Sequence, residues 1–179
     1  MAQAIPVQAA PAQVALTRAV LAQAAPVQAA AGRAVSAQEP GVVQTATLSA
    51  DAVLKIADAA MKEAAKQKQR VSVVVVDRSG ATRLVLKGDG AGPQTEESAR
   101  RKAFTAVSFG KATSELGKGL TGTGPSIADI PGTLFLGGGV PVTSGGAPIA
   151  GIGVGGAPSG DIDESIAQAA LKTITGQLR

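Results

Sequence analysis

Two groups of charged residues carry the chemistry that this chain could perform. The basic triplet Arg100-Arg101-Lys102 could neutralise a propionate, a phosphate or a carboxylate substrate through charge-assisted hydrogen bonds. For Arg100 and Arg101, a solvated helix face is the alternative that we favour. The acids Asp161, Asp163 and Glu164 could ligate a hard cation such as Mg²⁺ or Ca²⁺, and Glu96-Glu97 form a second acidic pair. Both acidic groups stand at predicted helix starts, where carboxylates stabilise the helix dipole. We therefore interpret them as helix caps and predict no metal site.

The composition excludes several classes of chemistry. The sequence contains no histidine, cysteine, tyrosine, tryptophan or asparagine, so neither imidazole nor thiolate groups are present. A Ser-His-Asp triad, a thiol nucleophile, a Cys/His zinc site and a His-ligated haem are excluded. We predict no catalytic residue and favour binding over catalysis, since an enzyme of this composition would need an external cofactor.

The charge pattern argues against two further classes. The formal net charge is only +4, the basic residues are scattered, and three phenylalanines are the only aromatic residues. A nucleic-acid surface would show a denser basic stripe. No run approaches the roughly 20 apolar residues that cross a bilayer.

The first part of the chain differs in composition from the rest. Residues 1–47 hold only three charged residues and are otherwise mostly Ala, Gln, Val and Pro. We therefore divide the chain into an extended N-terminal arm, 1–47, and a folded domain, 48–179. The arm is predicted to hold one short helix, Ala12 to Ala25, and to be either disordered or ordered by folding on a partner. Contacts to a partner would come from its large apolar side chains: Ile5, Val7, Val14, Leu16, Val20, Leu21 and Val27.

The arm also bears on localisation. The segment from Val14 to Ala25 is interrupted by Arg18 and lacks a basic region before it, so it is not typical of a signal peptide. A signal removed before a mature end at Ala2-Gln3-Ala4 is the second option. The Ala/Gln/Pro-rich beginning favours a periplasmic or other extracytoplasmic location.

The domain shows alternating helix and strand patterns. Apolar residues at helical spacing follow the N-cap Ser49 up to about Lys68, and the turn Asp77-Arg78-Ser79-Gly80 joins two β-branched runs into a hairpin. The first strand of the hairpin is apolar on both faces and should be central. Short links imply an antiparallel sheet with helices packed on it, an α+β fold. The later predicted elements are a helix from Thr95 to a stop at Gly110, an irregular Gly-rich stretch to Gly132, strands Thr133 to Leu136 and Pro148 to Val154, and a helix from Asp161.

Five segments of the domain, in their order along the chain, resemble the motifs of a known protein family. They are Val73-Val74-Val75-Val76-Asp77-Arg78-Ser79-Gly80, Lys102-Ala103-Phe104-Thr105-Ala106, Gly137-Gly138-Gly139-Val140-Pro141-Val142, Ile149-Ala150-Gly151-Ile152-Gly153-Val154-Gly155-Gly156 and Asp163-Glu164-Ser165-Ile166-Ala167. Residues from about 46 to 178 thereby resemble the GlcG/HbpS-like family, also called the haem-degrading-domain family. The resemblance implies a profilin-like antiparallel sheet flanked by helices, oligomerisation and, in some members, binding of haem or related tetrapyrroles.

Candidate ligand residues follow from the same resemblance. Lys102 and Thr105 lie in a segment similar to the family's Lys-Ala-x-Thr-Ala pattern, and with Arg101 they are our candidates for ligand binding. A bound haem iron would need Met61, a lysine, a threonine or a carboxylate as its ligand. Met61 lies on the predicted core face, where packing explains it.

The stretch from Gly151 to Gly156 contains the pattern Gly-x-Gly-x-x-Gly. In dinucleotide-binding proteins this pattern needs a second parallel strand carrying an acid, and the remaining residues leave no room for that unit. We interpret the glycines as positions where a strand approaches a neighbouring helix or subunit closely.

Two functional hypotheses remain. The first is a non-catalytic accessory subunit without a cofactor that docks on a larger partner, an oxidoreductase complex, through the arm and the domain. The alternative is a homo-oligomeric carrier or sensor of haem or a similar tetrapyrrole.

Overall fold

A four-stranded antiparallel sheet with helices on both faces forms the domain. The computed structural model describes residues 41–122 and 124–178. The predicted arm helix and the predicted partner-binding residues Ile5, Val7, Val14, Leu16, Val20, Leu21 and Val27 lie outside the described residues. The predicted α+β class is confirmed. The elements are α1 Ala50–Lys66, β1 Ser72–Asp77, β2 Thr82–Lys87, α2 Thr95–Phe109, α3 Thr113–Lys118, β3 Gly139–Ser144, β4 Ala147–Gly155 and α4 Gly160–Lys172, with short 3-10 turns at Ile127–Asp129 and Thr175–Gln177.

The sheet order is β2-β1-β4-β3, so β1 is a central strand, as its apolar sequence predicts. Val74 of β1 pairs with Val85 on one side and with Gly153 on the other. Alternate β1 side chains enter two separate cores. Val73 and Val75 pack with residues of α1 and α4, whereas Val74 packs against α2. The helices α1 and α4 therefore cover one face of the sheet and α2 covers the other.

Local signals set the boundaries of the helices and of the hairpin. The side chain of Ser49 accepts a hydrogen bond from the Ala52 amide and caps α1. Gly110 ends α2 with a left-handed φ of 65°. In the hairpin turn, Asp77 Oδ1 accepts hydrogen bonds from the amides of Ser79 and Ala81, at 2.9 and 3.1 Å. These elements match the sequence predictions.

Two predictions between α2 and β3 are wrong. The segment Thr133 to Leu136 is not a strand, because its backbone bonds elsewhere: the Thr133 amide donates to the Ile130 carbonyl and the Leu134 amide to the Thr105 hydroxyl. The strand begins later, at Gly139. The stretch predicted to be irregular contains the short helix α3, whose six residues are too few to show a helical period.

The glycines of β4 permit close packing of α2. A Cβ atom on Gly151 or Gly153 would collide with the backbone of Ala103 or Ala99, and one on Gly155 would lie 2.8 Å from the Thr95 carbonyl oxygen. The Gly-x-Gly-x-x-Gly pattern is therefore a contact surface between a strand and a helix, which agrees with our interpretation. Within the described residues, no helix combines the length and the apolar character needed to cross a membrane.

Candidate functional site

A buried ion pair joins the two helical layers. The Lys102 ammonium of α2 lies 2.8 Å from Asp163 Oδ2 of α4, and the two side chains are only 4% and 3% exposed. Lys102 Nζ also donates to the Val154 carbonyl at 3.1 Å, and Asp163 Oδ1 accepts from the Ala157 amide at 3.0 Å. Since α2 and α4 cover opposite faces of the sheet, the pair meets at the end of β4.

Consecutive glycines let the chain cross close to this pair. Gly138 has a φ of 124°, and a Cβ atom there would lie 2.8 Å from Asp163 Cβ and 3.0 Å from Lys102 Nζ. A Cβ atom on Gly139 would collide with the Lys102 carbonyl group. The amide of Gly139 donates to the buried Thr113 hydroxyl at 2.8 Å. The segment that enters β3 therefore packs directly on the ion pair.

The helix-cap interpretation is wrong for two of the three acids at the start of α4. Ser159 caps this helix by accepting from the Ile162 amide, whereas Asp163 pairs with Lys102. Glu164 accepts from the Ser114 hydroxyl at 2.6 Å and from the Gly138 amide at 3.3 Å. Both carboxylates therefore hold distant segments together.

The other acids show no metal-binding arrangement either. Glu97 lies in the first turn of α2, and its hydrogen bond from Arg100 holds the pKa of this carboxyl below its ordinary value. Asp161 is an exposed residue in the first turn of α4. Across residues 41–122 and 124–178, no group of three or more acids is placed to hold a metal ion.

The predicted ligand residues Arg101 and Thr105 both contact the segment that precedes β3. Arg101 Nη2 donates to the Thr133 carbonyl at 2.7 Å. The fully buried Thr105 hydroxyl donates to the Arg101 carbonyl and accepts from the Leu134 amide, both at 2.8 Å. Thr105 thus has both its donor and its acceptor satisfied. Of the three predicted ligand residues, only Lys102 lines one of the cavities described next.

Two cavities adjoin these elements. The first, which we call the α2–α4 cavity, has a volume of about 520 Å³ and lies between the first turns of those helices, with Ser98, Lys102, Gly160, Asp161 and Asp163 in its wall. Its lining is dominated by hydrogen-bonding groups and contains the buried ion pair. The sequence indicated Lys102 but not this cavity, because its wall is assembled from segments far apart in the chain.

The second, the α3 cavity, has a volume of about 640 Å³ and lies between α3 and the loop that follows it. Leu116, Leu120 and Ile127 line it, together with the exposed pair Lys111 and Glu115, whose Nζ and Oε1 atoms lie 2.9 Å apart. Small-molecule sites commonly measure about 300–1,000 Å³ and are largely apolar. The sequence did not indicate this cavity, because residues between α2 and Gly132 were predicted to be irregular.

The side chains present do not fit strong coordination of a haem iron. Imidazole, thiolate and phenolate are absent from the sequence. Met61 supplies the one sulfur atom in the described part of the chain. Its side chain packs beside the main core, with Cε 2.7 Å from the position that a Cβ atom on Gly88 would occupy. Lys102 is engaged with Asp163, and Thr105 is enclosed. A tetrapyrrole would have to be held by its ring and its propionates.

The structure is thus a small α+β domain with two cavities, in which buried polar contacts join two helical layers. The chain belongs to the family of HbpS-like haem degrading proteins, whose family model matches residues 48–172. The predicted GlcG/HbpS-like resemblance is thereby confirmed.

Solved structures of relatives cover most of the domain. A double mutant of HbpS from Streptomyces reticuli is 56% identical, with a TM-score of 0.72, over 74% of this chain and 90% of that one. The Klebsiella pneumoniae protein ORFY is 28% identical, with a TM-score of 0.68, over 74% and 93% of the two chains. A PduOC:haem complex is 29% identical, with a TM-score of 0.66, over 73% and 96%. Among curated proteins, no match was found.

Proposed function

We propose that this protein is a homo-oligomeric carrier or sensor of haem or a related tetrapyrrole. The observation that carries the proposal is the likeness to PduOC, whose structure was solved with haem and of which this chain covers 96%. Membership of a haem-degrading family supports the same ligand class. The comparisons favour this alternative over our first hypothesis of an accessory subunit in an oxidoreductase complex. The extracytoplasmic location and the partner contacts of the arm stay predictions.

The α3 cavity suits the macrocycle better than the α2–α4 cavity does. A porphyrin presents a broad apolar ring with two negative propionates at one edge. In the α3 cavity, Leu116, Leu120 and Ile127 supply apolar contacts. Lys111 is the cation available to a propionate, and its pair with Glu115 is exposed to solvent, where exchange of one carboxylate for another costs little. The wall of the α2–α4 cavity instead contains two carboxylates, Asp161 and Asp163, and one ammonium, Lys102, so it would repel a ligand that carries the two negative charges of the propionates.

Ring contacts, rather than an iron ligand, would then supply most of the affinity. This follows from the donor set, since Met61 is packed beside the core and Thr105 is fully buried with both its hydrogen bonds made. A tetrapyrrole without iron should therefore bind about as well as haemin. In a protein with an axial imidazole, removal of the iron would remove a main contact.

Parallel titrations of the full chain with haemin and with protoporphyrin IX test the proposal. We expect saturable absorbance changes for both, with dissociation constants within about tenfold of each other, which corresponds to about 1.4 kcal/mol. Leu120→Asp places a charge in the apolar wall and should weaken both by at least about tenfold. The matched control is Leu54→Asp, at a leucine of α1 that is 59% exposed.

Three results would contradict the proposal. The first is no saturable change with either tetrapyrrole. The second is equal affinity of the Leu120→Asp and Leu54→Asp variants, which would remove the α3 cavity as the site. The third is tight haemin binding with no protoporphyrin IX binding, because the iron would then be held by a ligand that this account does not contain.

A further inference from the structure

The α2–α4 cavity has features that the tetrapyrrole proposal does not use. We propose that this cavity binds a small monocarboxylate, with the Lys102 ammonium as its cationic anchor. The argument rests on a lysine and an aspartate that are both almost completely buried in the wall of an open cavity of about 520 Å³. Lysine and aspartate side chains are seldom buried so completely.

Lys102 has one hydrogen-bond donor to spare. An ammonium group donates three hydrogen bonds. Two of them go to Asp163 Oδ2 and to the Val154 carbonyl, and residues 41–122 and 124–178 supply no third acceptor. A buried cationic donor without an acceptor is costly. Because Lys102 lines the cavity, an acceptor atom on a ligand can complete its set.

Further hydrogen-bond donors without an acceptor lie around the cavity. Ser98 lines the cavity, and its hydroxyl makes no hydrogen bond to any other described residue. The first amides of a helix have no acceptor within the helix, and those of Gly160 and Asp161 occupy the first turn of α4 at the cavity wall. The Ser159 side chain accepts from the Ile162 amide and the Ser159 carbonyl accepts from the Asp163 amide, which leaves the amides of Gly160 and Asp161. A carboxylate, which accepts several hydrogen bonds, fits this collection of donors.

The acids at the same wall limit the charge of the ligand. Asp163 neutralises Lys102, and the exposed Asp161 adds a further negative charge at the rim. The two helix N-termini together offset about one negative charge. The charges of the wall therefore cancel, and the free donors can hold one carboxylate, whereas each further negative charge on a dicarboxylate or a phosphate dianion adds repulsion from Asp161 and Asp163.

A titration of the full chain with acetate, followed in ¹H–¹⁵N spectra, tests the proposal. We expect saturable shifts of the Ser98, Gly160 and Asp161 amide signals. Succinate and inorganic phosphate should bind more weakly than acetate. Ser98→Ala should weaken acetate binding about fivefold through the loss of one hydrogen bond.

Removal of the negative charge of Asp161 gives a more specific test of the proposal. Asp161→Asn should strengthen acetate binding about threefold, since a unit charge several ångströms away in water contributes less than about 1 kcal/mol. The matched control is Asp51→Asn, because Asp51 occupies the first turn of α1, far from this cavity in sequence and absent from its wall. Asp161 is exposed, so the substitution should leave folding intact.

Several outcomes would overturn this inference. They are an absence of saturable shifts, an equal effect of Asp161→Asn and Asp51→Asn, and tighter binding of succinate or phosphate than of acetate. Displacement of acetate by haemin, with shifts at the same amides, would also overturn it by making the cavity part of the tetrapyrrole site. Haemin binding that leaves acetate in place supports two separate sites, so the two proposals can fail independently.

Discussion

Neutralising one member of the Lys102–Asp163 pair should destabilise the domain severely. At the 2.8 Å separation of Nζ and Oδ2, the Coulomb attraction is about 6 kcal/mol for an effective dielectric constant near 20. Desolvation of the two ions offsets several kcal/mol of it. Lys102→Met, however, leaves the buried Asp163 carboxylate without its cation, so the desolvation cost remains uncompensated. We expect Lys102→Met and Asp163→Asn each to lower the free energy of unfolding by about 3–5 kcal/mol.

The double variant measures the interaction energy between Lys102 and Asp163. With both charges removed, no uncompensated ion is buried. The decrease in the free energy of unfolding of the Lys102→Met/Asp163→Asn variant should therefore be smaller than the sum of the decreases of the two single variants, by at least about 2 kcal/mol. Urea unfolding followed by far-UV circular dichroism measures these differences. Fluorescence is unsuitable because the chain has no tryptophan or tyrosine.

An exposed pair of nearly the same length provides the control. Lys111 Nζ and Glu115 Oε1 lie 2.9 Å apart, but their side chains are 57% and 60% exposed. Lys111→Met should therefore cost less than about 1 kcal/mol. The reasoning is refuted if Lys102→Met and Lys111→Met are equally stable, or if the coupling energy between Lys102 and Asp163 is zero.

Three further substitutions test the packing and the local structure. Gly153→Ala should destabilise the domain by at least about 3 kcal/mol in urea unfolding, since its Cβ would meet the α2 backbone; Gly176→Ala, with open space around it, should have little effect. Ser49→Ala should cost about 1 kcal/mol by removing the N-cap of α1, and an unchanged urea midpoint would contradict the capping contact. A hydrogen bond from the Ser79 hydroxyl is the main factor that lowers the pKa of Asp77. The ionised Asp77 carboxylate therefore contributes its full stabilisation of the fold above the unfolded pKa of about 3.9, and this contribution is lost as the pH falls through the lower pKa of the folded state. Asp77→Asn should therefore cost about 1 kcal/mol at neutral pH, with a deficit that shrinks on acidification, and a deficit independent of pH would argue against an ionic contribution.

Local patterns were sufficient to predict much of the fold. Ser49 and Gly110 mark helix ends by their side-chain and backbone chemistry, and the Asp77 turn joins β1 to β2 through contacts within four residues. The segment Thr133 to Leu136 has a strand-like composition, yet its conformation depends on the Thr105 hydroxyl 29 residues earlier in the chain. No local pattern carries that information.

The candidate sites also combine features that local sequence predicts with contacts between residues far apart in the chain. The motif around Lys102 predicted it as a ligand-binding residue. Its partner Asp163 is 61 residues away and was interpreted as a helix cap. Their contact depends on α2 and α4 meeting across the end of β4, which is a property of the sheet topology. Thr105 also lies in the motif, but it contacts the backbone of a neighbouring segment rather than a cavity.

Native mass spectrometry of the full chain, with and without haemin, tests the proposed function most directly. The account predicts an assembly whose mass is an integer multiple, of at least two, of the single-chain mass, and which carries up to one haemin per chain. A monomer would contradict it. So would an assembly that contains a second polypeptide and takes up no haemin, which would restore the accessory-subunit hypothesis.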